Sequence, residues 1–329
     1  MTTLCVNLRI KPWLMFSFVL LAILDINSLQ ARVFTVDDSY TVAARFAKYS
    51  KKEAKLIEPE LVFAQGQKVY FDRVYQSLST RDLHLDVFLP IKSNHQAIVM
   101  VHGGGWRSGN KSHFYALANV LAKKGYTLIL PEYRLSIEAP YPAGLEDINQ
   151  AIEWTKKNAK NLNIDPTKIA IAGGSSGGHM AALIGFTQHL PLFKPVTPIL
   201  RKPSRLNAII DLDGVLDLTD PETLKHENKK KDKSAFALWI GGSWQNANSL
   251  WRQASPAEYI SQDAPPLLVI SSGQKRFTQG RERVFNQLTA LNIPTRLHEF
   301  DQVIHTFWLF DPYLTLTAKV MDEFLQSEW

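Results

Sequence analysis

Cysteine is almost absent: Cys5 stands alone in 329 residues, ahead of an N-terminal apolar segment. No intramolecular disulfide is possible, nor any zinc or haem site built on cysteines. Because Cys5 precedes the apolar segment rather than following it, it is not a lipid-attachment cysteine either. That segment, Trp13–Leu24, has twelve uncharged residues, short of the roughly 20 a membrane-spanning helix needs. No internal repeat is visible. Basic and aromatic residues do not interleave, so nucleic acid is not an expected partner. Much of the surplus behind the net charge of +6 lies in the run Lys225–Lys233, which reads as a solvated loop.

What is present begins with a leader. Arg9 and Lys11 precede the apolar segment, and a polar stretch ends in Leu29-Gln30-Ala31. This is the form of a secretory signal over residues 1–31, with an uncleaved anchor as the other reading. The expectation is an exported chain, periplasmic or secreted, with no stable membrane insertion after cleavage. Lacking cysteine, such a chain depends on its core, and about 300 residues suffice for one large core.

Residues 32–67 read as a helical extension (39–48) and a polar connector, and 68–329 as one domain. Alternation marks two antiparallel strands at 68–75 and 83–89. Continuous apolar runs at 97–101, 126–130, 168–172, 208–212 and 267–270 read as strands buried on both faces. Helical patterns at 111–124, 144–161, 280–291 and 313–327 intervene, with a last short strand at 295–300. Alternating strands and helices predict an α/β fold, a mostly parallel central sheet with helices on both faces. The pattern lapses at 187–205 and 219–258, read as loop-rich insertions over the carboxyl edge of the sheet, where ligands bind in such folds.

The chemistry concentrates at the strand ends. After the strand at 168–172 comes Gly173-Gly-Ser-Ser-Gly-Gly-His179, in which G-x-S-x-G fits twice, on Ser175 and on Ser176. Such a turn exposes a serine at the tip of a strand–helix bend. His102-Gly103-Gly104-Gly105-Trp106 follows the strand at 97–101, and a glycine run brings backbone N–H groups close enough to converge on a developing oxyanion. His305, between the last strand and the last helix, stands where the base belongs in the chain order serine, acid, histidine. His179 is expected to pack beside the serine turn, and His102 to prop the glycine loop. Trp106, Trp239, Trp244, Trp251, Phe307 and Trp308 fall in or near loops that would rim the site, with Trp106 and Trp308 as substrate-binding candidates.

Together with Pro131-Glu-Tyr-Arg-Leu-Ser136, Pro140-Tyr-Pro142 and Ala264-Pro-Pro266, these motifs resemble the bacterial hormone-sensitive-lipase-like and carbohydrate-esterase branch of α/β-hydrolases, over about residues 70–329. The resemblance implies an α/β-hydrolase fold and places the nucleophile on Ser175, by matching Gly177-Gly-His-Met-Ala181 to the start of the family's elbow helix. It implies oxyanion donors at Gly104, Gly105 and Ser176. One departure stands out. The family usually carries its acid in Gly-x-x-Asp after the seventh strand, whereas Ser271-Ser-Gly-Gln-Lys-Arg276-Phe277 has arginine there. Glu282, in Gly280-Arg-Glu-Arg283, resembles the Gly-Arg-Asp of a sub-branch and is the expected acid. Asp213 is its rival and Asp301 a third candidate.

The resemblance therefore implies a serine esterase using Ser175, His305 and Glu282, with no metal or organic cofactor. Acetyl or feruloyl groups on a plant-type polysaccharide, or a small-molecule ester, are the expected substrates. A general short-chain carboxylesterase or lipase, and an inactive hydrolase fold used for binding, are the alternatives. The sequence carries no sign of oligomeric state.

Overall fold

A strand apolar on both faces is stable only where helices cover the sheet from both sides, and five consecutive strands here meet that condition. The structure, a computed structural model, describes residues 39–194 and 205–328. The signal reading at 1–31 lies outside the described residues, as does 195–204 of the first expected insertion.

In chain order the elements are α1 (Val42–Tyr49), β1 (Val69–Ser77), β2 (Asp82–Phe88), β3 (Ala97–Val101), α2 (Tyr115–Lys123), β4 (Thr127–Pro131), α3 (Ala143–Lys157), α4 (Ala159–Leu162), β5 (Ile169–Gly174), α5 (Ser176–Thr187) and β6 (Ala208–Leu212). They continue with α6 (Pro221–Asn228), α7 (Ala235–Ile240), α8 (Trp244–Gln253), β7 (Leu267–Ser271), α9 (Arg281–Ala290), β8 (Thr295–Glu299) and α10 (Tyr313–Glu328). One eight-stranded sheet runs β1-β2-β4-β3-β5-β6-β7-β8. The β1–β2 and β2–β4 pairs are antiparallel and all others parallel.

Residues of β3 to β7 are buried throughout, whereas β8, at an edge, is largely exposed. Their side chains alternate between two cores, as the period of two in a strand requires. Val99 and Val101 of β3 join the core under α3, α5 and α9, while Ile98 and Met100 join the one under α2 and α10. This is the expected fold class.

Register then levels the strand ends. Val101 pairs with Gly173, Gly174 with Leu212 and Leu212 with Ile270. The four loops that leave these strands consequently emerge side by side at the carboxyl edge.

The expectation of a loop-rich insertion at 219–258 needs correction, because this stretch folds as α6, α7 and α8. Asp220 caps α6, accepting from the N–H of Glu222 at 2.8 Å and of Thr223 at 3.3 Å, with Pro221 at its first position. Ser234 caps α7, which closes at Gly241 in the left-handed region (φ 92°). Helices of eight and six residues are too short to show a helical period, which needs a window of about 11 residues or more.

Candidate active site

The bend between β5 and α5 holds Ser175 at φ 54° and ψ −121°, a backbone region costly for a residue with a Cβ. Two close approaches make the bend possible. A Cβ on Gly173 would collide with the carbonyl of Gly177, and one on Gly177 with the carbonyl of Val101. The Ser175 N–H donates to the Leu212 carbonyl at 2.8 Å, tying the bend to the end of β6. Ser176 opens α5 and is buried, so of the two serines only Ser175 presents its hydroxyl to a base.

His305 faces that hydroxyl. Its Nε2 lies 2.8 Å from Ser175 Oγ, and its Nδ1 lies 2.9 Å from Asp213 Oδ2. Asp213 directly follows β6 in the left-handed region (φ 57°) and is 1% exposed. Its Oδ1 accepts the Ser272 N–H at 2.8 Å, and its own N–H donates to Ile270 O at 3.1 Å. The carboxylate thus spans the ends of β6 and β7 and has one oxygen left to orient the imidazole.

The expected acid, Glu282, is therefore corrected. It is exposed in the first turn of α9 and lines a different, polar hollow from that of Ser175. Its neighbours account for the motif. Arg283 bonds Asp217 at 2.7 Å and Glu258 at 2.9 Å, and Arg281 bonds Glu299 at 2.7 Å. Gly280 lies so close to Asp217 that a Cβ would collide with it. Gly280–Arg283 clamps α9 against the turn after β6 and leaves Glu282 facing solvent. Asp301 is exposed and makes no bond to His305, both of whose ring nitrogens are occupied.

Above the serine runs the glycine loop, with Gly104, Gly105 and Trp106 at φ 131°, 63° and 60°. Among the described residues no acceptor takes the N–H of Gly104, Gly105 or Ser176, and Gly105 and Ser176 line the same cavity as Ser175. His102 lies beneath the loop, its Nδ1 2.9 Å from the Gly103 carbonyl and its ring stacked on Tyr133. Burial pushes its pKa down to about 3, so it stays neutral. His179 places Nε2 2.8 Å from the Ala254 carbonyl, and burial lowers it to about 4. Both are structural, as expected.

The cavity over Ser175, about 310 Å³, is walled by the glycine loop, α6, the start of α7 and the loop after β7. Trp106 lines it and stacks on Trp239 at 4.7 Å. Trp308 does not. It is 3% exposed, lies in the core and fills the space that a Cβ on Gly174 would need, so it supports the bend from below rather than meeting substrate. Trp239, Trp251 and Phe307 are likewise core residues.

Two features escaped the sequence. Phe277 stacks on the His305 ring at a centroid distance of 3.4 Å and an interplanar angle of 9°, and no local pattern signals it. Asp211 is different: a charge in the apolar strand Ala208-Ile-Ile-Asp-Leu212 is itself a signal. It is fully buried, and its Oδ1 accepts the Gly214 N–H at 2.7 Å, fixing the turn that carries Asp213. Burial, with Asp213 nearby, pushes its carboxyl well above the ordinary range.

Among the described residues no group of His, Cys, Asp or Glu could hold a metal ion, and no helix is long and apolar enough to cross a membrane.

Sheet order, strand-end loops and the serine bend define an α/β-hydrolase fold with a Ser–His–Asp constellation at its carboxyl edge. Comparison with known proteins narrows the class. A family model described as BD-FAE matches residues 85–277, and the chain belongs to that family. It is 30% identical over 193 residues to the probable carboxylic ester hydrolase LipM of Mycobacterium tuberculosis, covering 57% of this chain and 44% of that protein. The chain spans about half the length of the curated relatives it matches. Among solved structures it is similar to a truncated carbohydrate esterase from gut microbiota (TM-score 0.69, 23% identity, 83% of this chain and 99% of the other). It is also similar to the thermophilic esterase Est2 of Thermogutta terrifontis (TM-score 0.64, 24% identity, 82% and 96%).

Proposed function

We propose that this chain is a serine carboxylesterase that removes a short acyl group, acetyl or feruloyl, from an acylated polysaccharide outside the cytoplasm. The observation that carries the reading is the continuous relay from Asp213 Oδ2 through His305 to Ser175 Oγ, at 2.9 and 2.8 Å. In this reading Ser175 Oγ attacks the ester carbonyl while His305 Nε2 takes its proton. Asp213 holds the imidazole in the tautomer with hydrogen on Nδ1 and stabilises the cation that forms. The tetrahedral oxyanion collects the N–H groups of Gly105 and Ser176, with Gly104 as a third donor. His305 then protonates the leaving alkoxide, and a water activated the same way clears the acyl-enzyme.

Two observations support a carbohydrate ester. One is the likeness to a structure described as a carbohydrate esterase; the other is the mixed polar and aromatic wall of the cavity. The names of the curated relatives favour a second reading, a general carboxylesterase. The two separate on substrate: turnover of 4-nitrophenyl acetate without release of acid from acetylated xylan or a feruloylated polysaccharide selects the second. Ser175→Ala should abolish ester hydrolysis with folding intact. Asp213→Asn should cost roughly 10⁴-fold in kcat, while Glu282→Gln stays near wild type. Full activity in Asp213→Asn would end the proposed relay.

A further inference from the structure

The cavity over Ser175 contains a carboxylate that the proposed reaction does not use. Glu227, near the end of α6, is 3% exposed yet lines this cavity. Its Oε2 is sealed from solvent with no hydrogen-bond partner. The imidazole Nε2 of His226 lies 3.7 Å from Oε1, beyond hydrogen-bonding distance. Lys225 on the same helix is engaged with Glu222. Lys275 and Arg276 line the same cavity without pairing with Glu227.

A buried carboxylate lacking donors is costly, and a native orphan of this kind calls for an explanation. Here the explanation is a donor that arrives with the ligand. We infer that Glu227 is a specificity-determining residue that accepts a hydrogen bond from a free hydroxyl on the alcohol portion of the ester, so that the substrate is a neutral, polyhydroxylated (sugar) ester.

The charges around the cavity narrow the chemistry. Lys275 and Arg276 disfavour a cationic substrate, and Glu222 with Glu227 disfavours an anionic one. A neutral hydroxyl suits both walls, since it can donate to a carboxylate and accept from a cation or from His226. Trp106 and Phe236 supply apolar faces against which the C–H face of a sugar ring can lie.

The inference rests on the serine-esterase reading, and the test keeps the two apart. The full chain, as wild type, Glu227→Gln and Glu227→Leu, is assayed on mono-O-acetyl methyl xyloside, on 4-nitrophenyl acetate and on cyclohexyl acetate, which lacks hydroxyls. The expected result is a loss of roughly 10–100-fold in kcat/KM on the xyloside for Glu227→Leu, expressed in KM. Glu227→Gln, which keeps an acceptor oxygen and the shape, should lose less. Both variants should lose less on the esters without hydroxyls than on the xyloside, since no hydrogen bond is lost there. Equal losses on all three substrates would overturn the inference. So would unchanged kinetics with a raised Tm, the mark of a buried charge with no ligand. If Glu227→Leu does not fold, the isosteric Glu227→Gln decides alone, by whether its loss is larger on the xyloside. A wild-type chain inactive on 4-nitrophenyl acetate would sink the esterase reading itself and this inference with it.

Discussion

His305 is held on three sides, by Ser175 at Nε2, Asp213 at Nδ1 and the ring of Phe277 across one face. An aromatic face attracts a cation, by about 0.5–2 kcal/mol depending on desolvation, and the imidazole becomes a cation as the proton moves. Phe277→Leu should therefore lower kcat by roughly 3–30-fold while KM and Tm hold near wild type. A KM effect without a kcat effect would make Phe277 a wall of the cavity and nothing more. The sequence could not announce this contact, because Phe277 and His305 meet only through the pairing of β7 with β8. Ser175 and the glycine loop were legible for the opposite reason: their glycines and serines stand together as short local motifs, whatever distant backbone those glycines make room for. The acid lay between these cases. Asp213 was a named rival, but choosing it over Glu282 needs the distance across β6 and β7, which local text does not contain.

At the scale of elements, the buried strands were legible because an apolar run without alternation has few other uses. The helices over the site were not, since α6 and α7 are held by caps and tertiary packing rather than by periodicity. Helix α6 brings Glu222, Thr223, His226 and Glu227 to the cavity, and its first turn hangs on the side chain of Asp220. Asp220→Ala removes that cap at a cost of about 1 kcal/mol. The expected consequence is a several-fold rise in KM for a sugar ester with little change in kcat, whereas Asp220→Asn, a comparable cap, should restore the wild-type value. Equal KM in all three proteins would mean that α6 is held by its packing alone.

Across the whole molecule, buried titratable groups shape the response to acid, His102, His179 and Asp211 among them. His102 and His179 have folded pKa values lowered to about 3 and about 4, against about 6.5 in an unfolded chain. Their contribution is complete above pH 6.5 and is lost as pH falls, by about 1.4 kcal/mol per unit for each histidine, because only the unfolded state takes up the proton. Asp211, whose carboxyl is raised, acts in the opposite sense. Its folded form keeps a proton that the unfolded chain releases above about pH 4, so stability falls there as pH rises. Between pH 6 and 4 the two histidines take away up to about 1.4 kcal/mol per unit each, and the aspartate opposes them. Unfolding followed by denaturant should show this pH dependence, and His179→Gln should flatten the slope by about the same amount. An unchanged slope in that variant would mean that His179 is protonated in the folded protein.

Placing the carboxylate at the end of β6 has a consequence for how this chain can change over generations. In the proposed relay the loop after β7 need not supply an acid, yet it borders the cavity through Lys275 and Arg276. Among the described residues their side chains make no hydrogen bond or ion pair, and Arg276 only rests over the ring of Phe277. Positions 275 and 276 carry no contact that fixes their identity apart from the one between Arg276 and Phe277. Change at these two positions would reshape the cavity wall while Asp213, tied to the ends of β6 and β7, keeps its place.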